Sequence, residues 1–153
     1  MVILVPFDGG ALAEAALERA VELANALGES VVALAVVPRN NGRYARERGW
    51  IDADEEFDAR SVLADLRGRT NAIAAEAEFR HLVVDRYATA GEIATHIREV
   101  ARDIDASVVA VGSENAGRIA TGVASVGSTV AAGTTYDVLI VRNADSLRSE
   151  TPG

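Results

Sequence analysis

VILVPFDGG, residues 2–10, decides how the rest of the chain is read. A strand with one wet face alternates apolar and polar residues, but Val2 to Phe7 is an almost unbroken apolar run. It is therefore read as a strand buried on both faces, with Asp8-Gly9-Gly10 as the turn that ends it. From Ala11 to Leu27 the spacing changes: Leu12, Ala16, Ala20, Leu23 and Leu27 recur at helical intervals, and Gly28 stands where a C-terminal stop belongs. Val31 to Val37 (VVALAVV) is a second continuous apolar run, short and β-branched enough for a central strand. Strand, helix and strand are complete by Val37, which is the unit of an α/β fold.

Further along, Pro38 to Asp54 carries Asn40-Asn41-Gly42 and a charged run from Arg43 to Arg48, and is read as a long exposed loop. Asp54 to about Ala75 returns to helical spacing. Phe79 to Val84 predicts a third strand, and Gly91 to Ile104 a helix with Ile93, Ile97, Val100 and Ile104 along one stripe. Ser107 to Val111 predicts a fourth strand stopping at Gly112. A glycine- and serine-bearing loop then runs from Ser113 to Ser128 and leads into a short helix. Asp137 to Val141 (DVLIV) predicts the fifth strand. Domain organisation is read as one domain over residues 1–143 with a polar tail over 144–153. Apolar strands alternating with helices mean a parallel sheet covered on both faces, whose ligands settle beyond the carboxyl ends of the strands. Asp8, Val36 and Gly112 all fall at such ends.

Composition narrows the function classes. The chain has 153 residues, 49% of them apolar, which suffices for one core without a metal or disulfide staple. Cysteine is absent, and with it thiolate metal sites and cysteine nucleophiles. The formal charge is −8, and all 15 basic residues are arginine. That field repels phosphate backbones and anionic lipid, so neither nucleic acid nor membrane is the expected partner. No apolar run reaches the roughly 20 residues that cross a bilayer, and the chain opens on a strand rather than a basic leader. A cytoplasmic location is expected.

The order and spacing of VILVPFDGG at 2–10, VVALAVV at 31–37, GEIATHIREVARDIDASVVAVGS at 91–113, GST at 127–129 and VLIVR at 138–142 resemble the universal stress protein family. The resemblance implies a five-stranded parallel sheet of order 3-2-1-4-5 with helices on both faces, like that of the adenine nucleotide alpha-hydrolases. It also implies a homodimer paired through the edge strand at 137–142. ATP-binding members carry a loop written G-x2-G-x9-G-[ST] after the fourth strand. Here Gly112, Gly117, Gly127 and Ser128 read G-x4-G-x9-G-S, with two extra residues in the first interval and Asn115 where the second glycine falls in the family pattern. Glycines of this kind let backbone amides approach an anion, and a helix starting near Ser128 and Thr129 adds free N–H groups and a partial positive charge. Arg118 offers a charge-assisted contact to a phosphate oxygen. Asp8 and Val36, flanked by Pro6, Phe7 and Val111, are placed by the resemblance around the adenosine moiety. The same glycines also suit tight turns and close helix packing, and Asp8 also suits holding the Gly9-Gly10 turn.

Other residue types carry less chemistry. His81 and His96 have no second ligand at metal spacing, so no metal site is expected among them. Asp103 and Asp105 flank Ile104 at a helix end and are read as helix-terminating groups facing water. Neither Ser113 nor Ser128 lies in a G-x-S-x-G elbow. Tyr44 and Trp50 either anchor the long loop to the core or cover a ligand. The expectation is a stress-response module that binds ATP or another adenine nucleotide, with Mg2+, and that has no catalytic residue and at most slow hydrolysis. The alternatives are a dimeric interaction module that regulates a partner protein such as a transporter without binding nucleotide, and an enzyme of the related alpha-hydrolase group.

Overall fold

A computed structural model describes residues 1–114, 116, 119 and 136–143. The elements run β1 (Val2–Pro6), α1 (Ala11–Leu27), β2 (Ser30–Pro38), α2 (Gly42–Glu47), α3 (Ala59–Ile73), β3 (Glu78–Val84), α4 (Ala90–Asp103), β4 (Ala106–Gly112) and β5 (Asp137–Val141). The strands form one parallel sheet of order β3-β2-β1-β4-β5, as expected. Hydrogen-bonded on both sides and covered on both faces, β1 buries Ile3, Leu4 and Val5 completely. This is the physical reason its sequence does not alternate.

The two faces pack separate cores, and the residue parity of the strands sorts side chains between them. Ile3, Val5 and Phe7 with Val31, Ala33, Ala35 and Val37 point to the layer of α1 and α3. Leu4, Val32, Leu34 and Val36 point to the layer of α4. The contact side of α1 is mostly alanine (Ala13, Ala15, Ala16, Ala20, Ala24) with Leu17, so the helix lies close on the sheet. That closeness governs Gly112 at the end of β4, where a Cβ would come within 2.8 Å of Leu12 Cβ. Leu27, counted in the apolar stripe from its spacing, is instead 58% exposed, in the last turn of α1 beside its Gly28 cap.

Three element boundaries also differ from the expectation. The stretch from Pro38 to Asp54 is not a simple exposed loop: it contains α2, and it buries Ala45 and Ile51. A six-residue helix is too short to show periodicity, although Asn41 announces it by accepting the Tyr44 N–H at 2.9 Å. The next helix begins at Ala59 rather than Asp54, because Asp58 caps it through the Arg60 N–H and the Ser61 hydroxyl. At α4, Thr89 and Glu92 form a reciprocal capping box, which starts the helix at Ala90. Among the described residues no helix is long and apolar enough to cross a membrane.

Candidate functional site

A cleft opens at the carboxyl ends of β1, β2 and β4. At its centre β1 runs on into Phe7, whose N–H donates to the Leu34 carbonyl at 2.8 Å, and then turns sharply at Asp8. Three hydrogen bonds hold that turn. Asp8 Oδ1 accepts the Gly10 N–H at 2.9 Å. The Trp50 indole N–H donates to the Asp8 carbonyl at 2.7 Å, and Arg69 donates to the Gly9 carbonyl at 3.3 Å. Gly9 itself has φ +81°, a conformation in which a side chain is strained. Asp8 therefore does hold its turn, and it lines the cleft as well.

Of the residues expected at a site, Pro6, Phe7, Asp8, Val36, Val111 and Gly112 are brought together along this one cleft. Gly117, Arg118, Gly127, Ser128 and Thr129 lie outside the described residues. One part of the glycine-bearing segment is described: Ser113, Glu114, Ala116 and Ile119 are helical, and Ala116 and Ile119 are buried in the α4-side core. The expectation of a loop beginning at Ser113 is corrected there. Burial of two apolar residues three apart on one helical face is what stabilises a helix directly after Gly112.

Several lining residues were not singled out beforehand. Ile93 and Ile97 of α4 were read as an apolar stripe, and they are that, yet they also wall the cleft. Arg48 and Glu114 carry charge to its edge. Tyr44 was weighed as either an anchor or a cover; it lines the cleft, while Trp50 is the anchor. The two rings lie 5.5 Å apart at 58°, and the Arg48 guanidinium carbon sits 4.0 Å above the Tyr44 centroid. Spacing of four residues, with Tyr44 on α2 and Arg48 at its cap, was the available signal. Burial pushes the Tyr44 hydroxyl above its ordinary pKa of 10.0, against the lowering effect of Arg48 and with the help of Asp8, so it stays protonated near neutral pH.

The remaining chemical candidates lie elsewhere. His81 is exposed in the middle of β3, and His96 faces Glu99 at 3.9 Å. Asp103 and Asp105 sit at the opposite end of the sheet, where Asp105 takes φ +54° in the turn into β4. Among the described residues no group of His, Asp and Glu is placed to hold a metal ion.

Comparison with known proteins agrees with this fold. No curated protein matches the chain. Among solved structures, the fold is similar to a universal stress protein from Burkholderia pseudomallei, at 23% identity, TM-score 0.57, and coverage of 93% of this chain and 96% of that one. It is similar also to a universal stress protein in complex with cAMP (21% identity, TM-score 0.52, coverage 93% and 97%). A third likeness is to the universal stress protein from Archaeoglobus fulgidus in complex with dAMP (20% identity, TM-score 0.50, coverage 92% and 95%). At such identities the likeness speaks for the fold. The model of the universal stress protein family matches residues 1–142. With that match spanning every element of the sheet, the chain belongs to the universal stress protein family.

Proposed function

We propose that the chain is a regulatory module that binds an adenine nucleotide, ATP included, in the cleft at Asp8. The observation that carries this reading is the convergence of Pro6, Phe7, Asp8, Val36, Val111 and Gly112 on one cleft at the carboxyl ends of three strands. Doubly wound sheets hold ligands in that crevice, where the crossovers leave toward opposite faces. Structures similar in fold carry cAMP and dAMP, which supports an adenine ligand here. Magnesium would accompany the phosphates, and the module would act by occupancy rather than by turnover. Titration calorimetry with ATP, ADP and AMP in the presence of magnesium tests the reading. Saturable binding is expected, and no heat from any of the three at millimolar concentration sinks it.

One observation favours a second reading. Helical residues at 113, 114, 116 and 119 stand where an anion-cradling loop was expected, which suits an interaction module that regulates a partner protein without nucleotide. Either reading includes a homodimer through β5, an edge strand on which Ile140 is 47% exposed. Light scattering should show a dimer that Ile140→Glu converts to monomer, because an introduced charge at a two-fold interface meets its own copy. An unchanged mass for that variant would place the interface elsewhere.

A further inference from the structure

We infer that a groove on the other side of α2 from the cleft docks an acidic peptide segment of a partner protein, through the guanidiniums of Arg43, Arg46 and Arg86 and the rings of Phe57 and Tyr87. The inference does not depend on what fills the cleft. Its starting point is where the cations stand. The chain has a formal charge of −8, yet Arg39, Arg43, Arg46 and Arg48 all fall within residues 39–48. Helical spacing then divides them. Tyr44 and Arg48 line the cleft, whereas Arg43 and Arg46, three apart on α2, line a second groove that Arg86 and Tyr87 of the turn after β3 complete.

These guanidiniums are open to a ligand. Arg86 has no carboxylate partner among the described residues, and its guanidinium carbon lies 5.3 Å from the Tyr87 centroid. Arg46 gives one N–H to the Glu55 carbonyl at 3.2 Å and keeps others to donate. Arg43 meets Glu47 at 3.1 Å, but both side chains are exposed, and such a pair yields to a better-placed carboxylate. The walls are also preorganised. The Asn41 amide donates to the Arg86 carbonyl at 2.7 Å and the Arg39 N–H to the Val84 carbonyl at 2.9 Å, joining α2 and the end of β2 to the end of β3. Gly42 leaves room for Arg46, one of whose nitrogens lies 3.2 Å from where a Cβ would stand. Guanidinium forks match carboxylates, and the groove adds aromatic contact, with Phe57 packed against the core and Tyr87 73% exposed. Glu56 stands in the same lining and meets an unbroken polyanion with repulsion. Together with the net charge, it favours a peptide of mixed acidic and apolar residues over a nucleic-acid strand.

The test uses the full chain and fluorescein-labelled probes followed by anisotropy: a peptide of glutamates flanking one phenylalanine, its glutamine counterpart, and an oligothymidine strand. The glutamate peptide should bind, the glutamine peptide should bind about tenfold more weakly, and added salt should weaken the first because exposed charges are screened. Arg86→Ala should cost about tenfold in affinity for the glutamate peptide, the effect of losing a hydrogen bond to a charged group, and Arg86→Glu should abolish binding. Arg43→Ala should cost less, about threefold, since Glu47 already competes for that guanidinium. Arg43 and Arg86 are exposed, so circular dichroism should show all three variants folded. Neither residue lines the cleft, so the variants should keep the wild type's response to ATP, ADP and AMP. Failure of the glutamate peptide to bind, equal affinity for the glutamine peptide, or unchanged affinity in both Arg86 variants overturns the inference. Tighter binding of oligothymidine than of the glutamate peptide overturns it too, and would make the groove a nucleic-acid contact. None of these results bears on the nucleotide reading, which the calorimetry decides separately.

Discussion

The two ends of the parallel sheet are built from the same strands and have opposite character. At the amino end, polar groups satisfy one another. Ser30 N–H donates to the Met1 carbonyl at 3.2 Å, and Ser107 spans to the Val2 carbonyl at 3.2 Å and to Glu29 at 2.6 Å. Ser107 occupies the register shift where β4 slips against β1, so its hydroxyl completes a ladder that the bulge interrupts. At the carboxyl end the backbone is also held, by Trp50 and Arg69, but there the holding groups stand beside an opening. The difference follows from winding: crossovers from β1 and into β4 leave toward opposite faces, so a crevice opens at the ends where the helices begin. Contacts between residues far apart in the chain hold both ends, but at the carboxyl end they border a cleft.

That contrast can be broken most forcefully at Gly112. Gly112→Val would set a side chain against Leu12 at the carboxyl end, where a Cβ alone comes within 2.8 Å. It should destabilise the fold by about 3 kcal/mol, as overpacking of a close contact does, and abolish ligand binding in the cleft. Chemical denaturation and titration read both effects, and a stable variant that still binds would mean that α1 can move away freely. Trp50→Phe removes the donor to the Asp8 carbonyl and should cost about 1 to 2 kcal/mol, with weaker ligand binding alongside. If its melting temperature were lowered while affinity stayed at the wild-type value, Trp50 would anchor the loop without shaping the cleft.

Ser107→Ala sharpens the comparison from the other end. It should cost about 1 kcal/mol and leave every cleft affinity unchanged, since its partners lie at the amino end. The mildest expectation concerns alkaline pH. Tyr44 and Tyr136 are both raised above the ordinary 10.0, first by burial, with Arg98 and Arg102 pulling Tyr136 back down. The folded state therefore holds protons that the unfolded chain releases. Stability is fully present below about pH 10 and falls as the pH rises through the folded values. Tyr44→Phe should flatten part of that decline in denaturation midpoints measured between neutral and strongly alkaline pH, and an identical slope would show that Tyr44 is not held in its neutral form.

Much of the architecture was legible because it rests on local periodicity. The unbroken runs at Val2–Phe7 and Val31–Val37 declared doubly covered strands, and the match of DVLIV to β5 was complete. The errors fell where periodicity has too few residues to act. Six residues of α2 hide among Asn40-Asn41-Gly42 and a run of charge, and Asp58 moved a helix start by capping it. The capping box at Thr89 and Glu92 was readable and marks the start of α4 one residue earlier than the apolar stripe did.

The site divides in the same way. Asp8, Val36 and Gly112 were placed from the chain alone, because a ligand crevice in such a sheet must lie past the carboxyl ends of its strands, and those ends are marked by turns in the sequence. Tertiary structure decided what faces them. Tyr44 and Arg48 reach the cleft across a gap of some 40 residues only because Trp50 bonds the Asp8 carbonyl and Asn41 bonds Arg86, contacts that no periodicity encodes. It also decided that Gly112 answers to Leu12, since a steric limit between two elements exists only once they are packed. Strand and helix patterns are properties of neighbours along the chain, whereas the walls of a cleft are properties of neighbours in space.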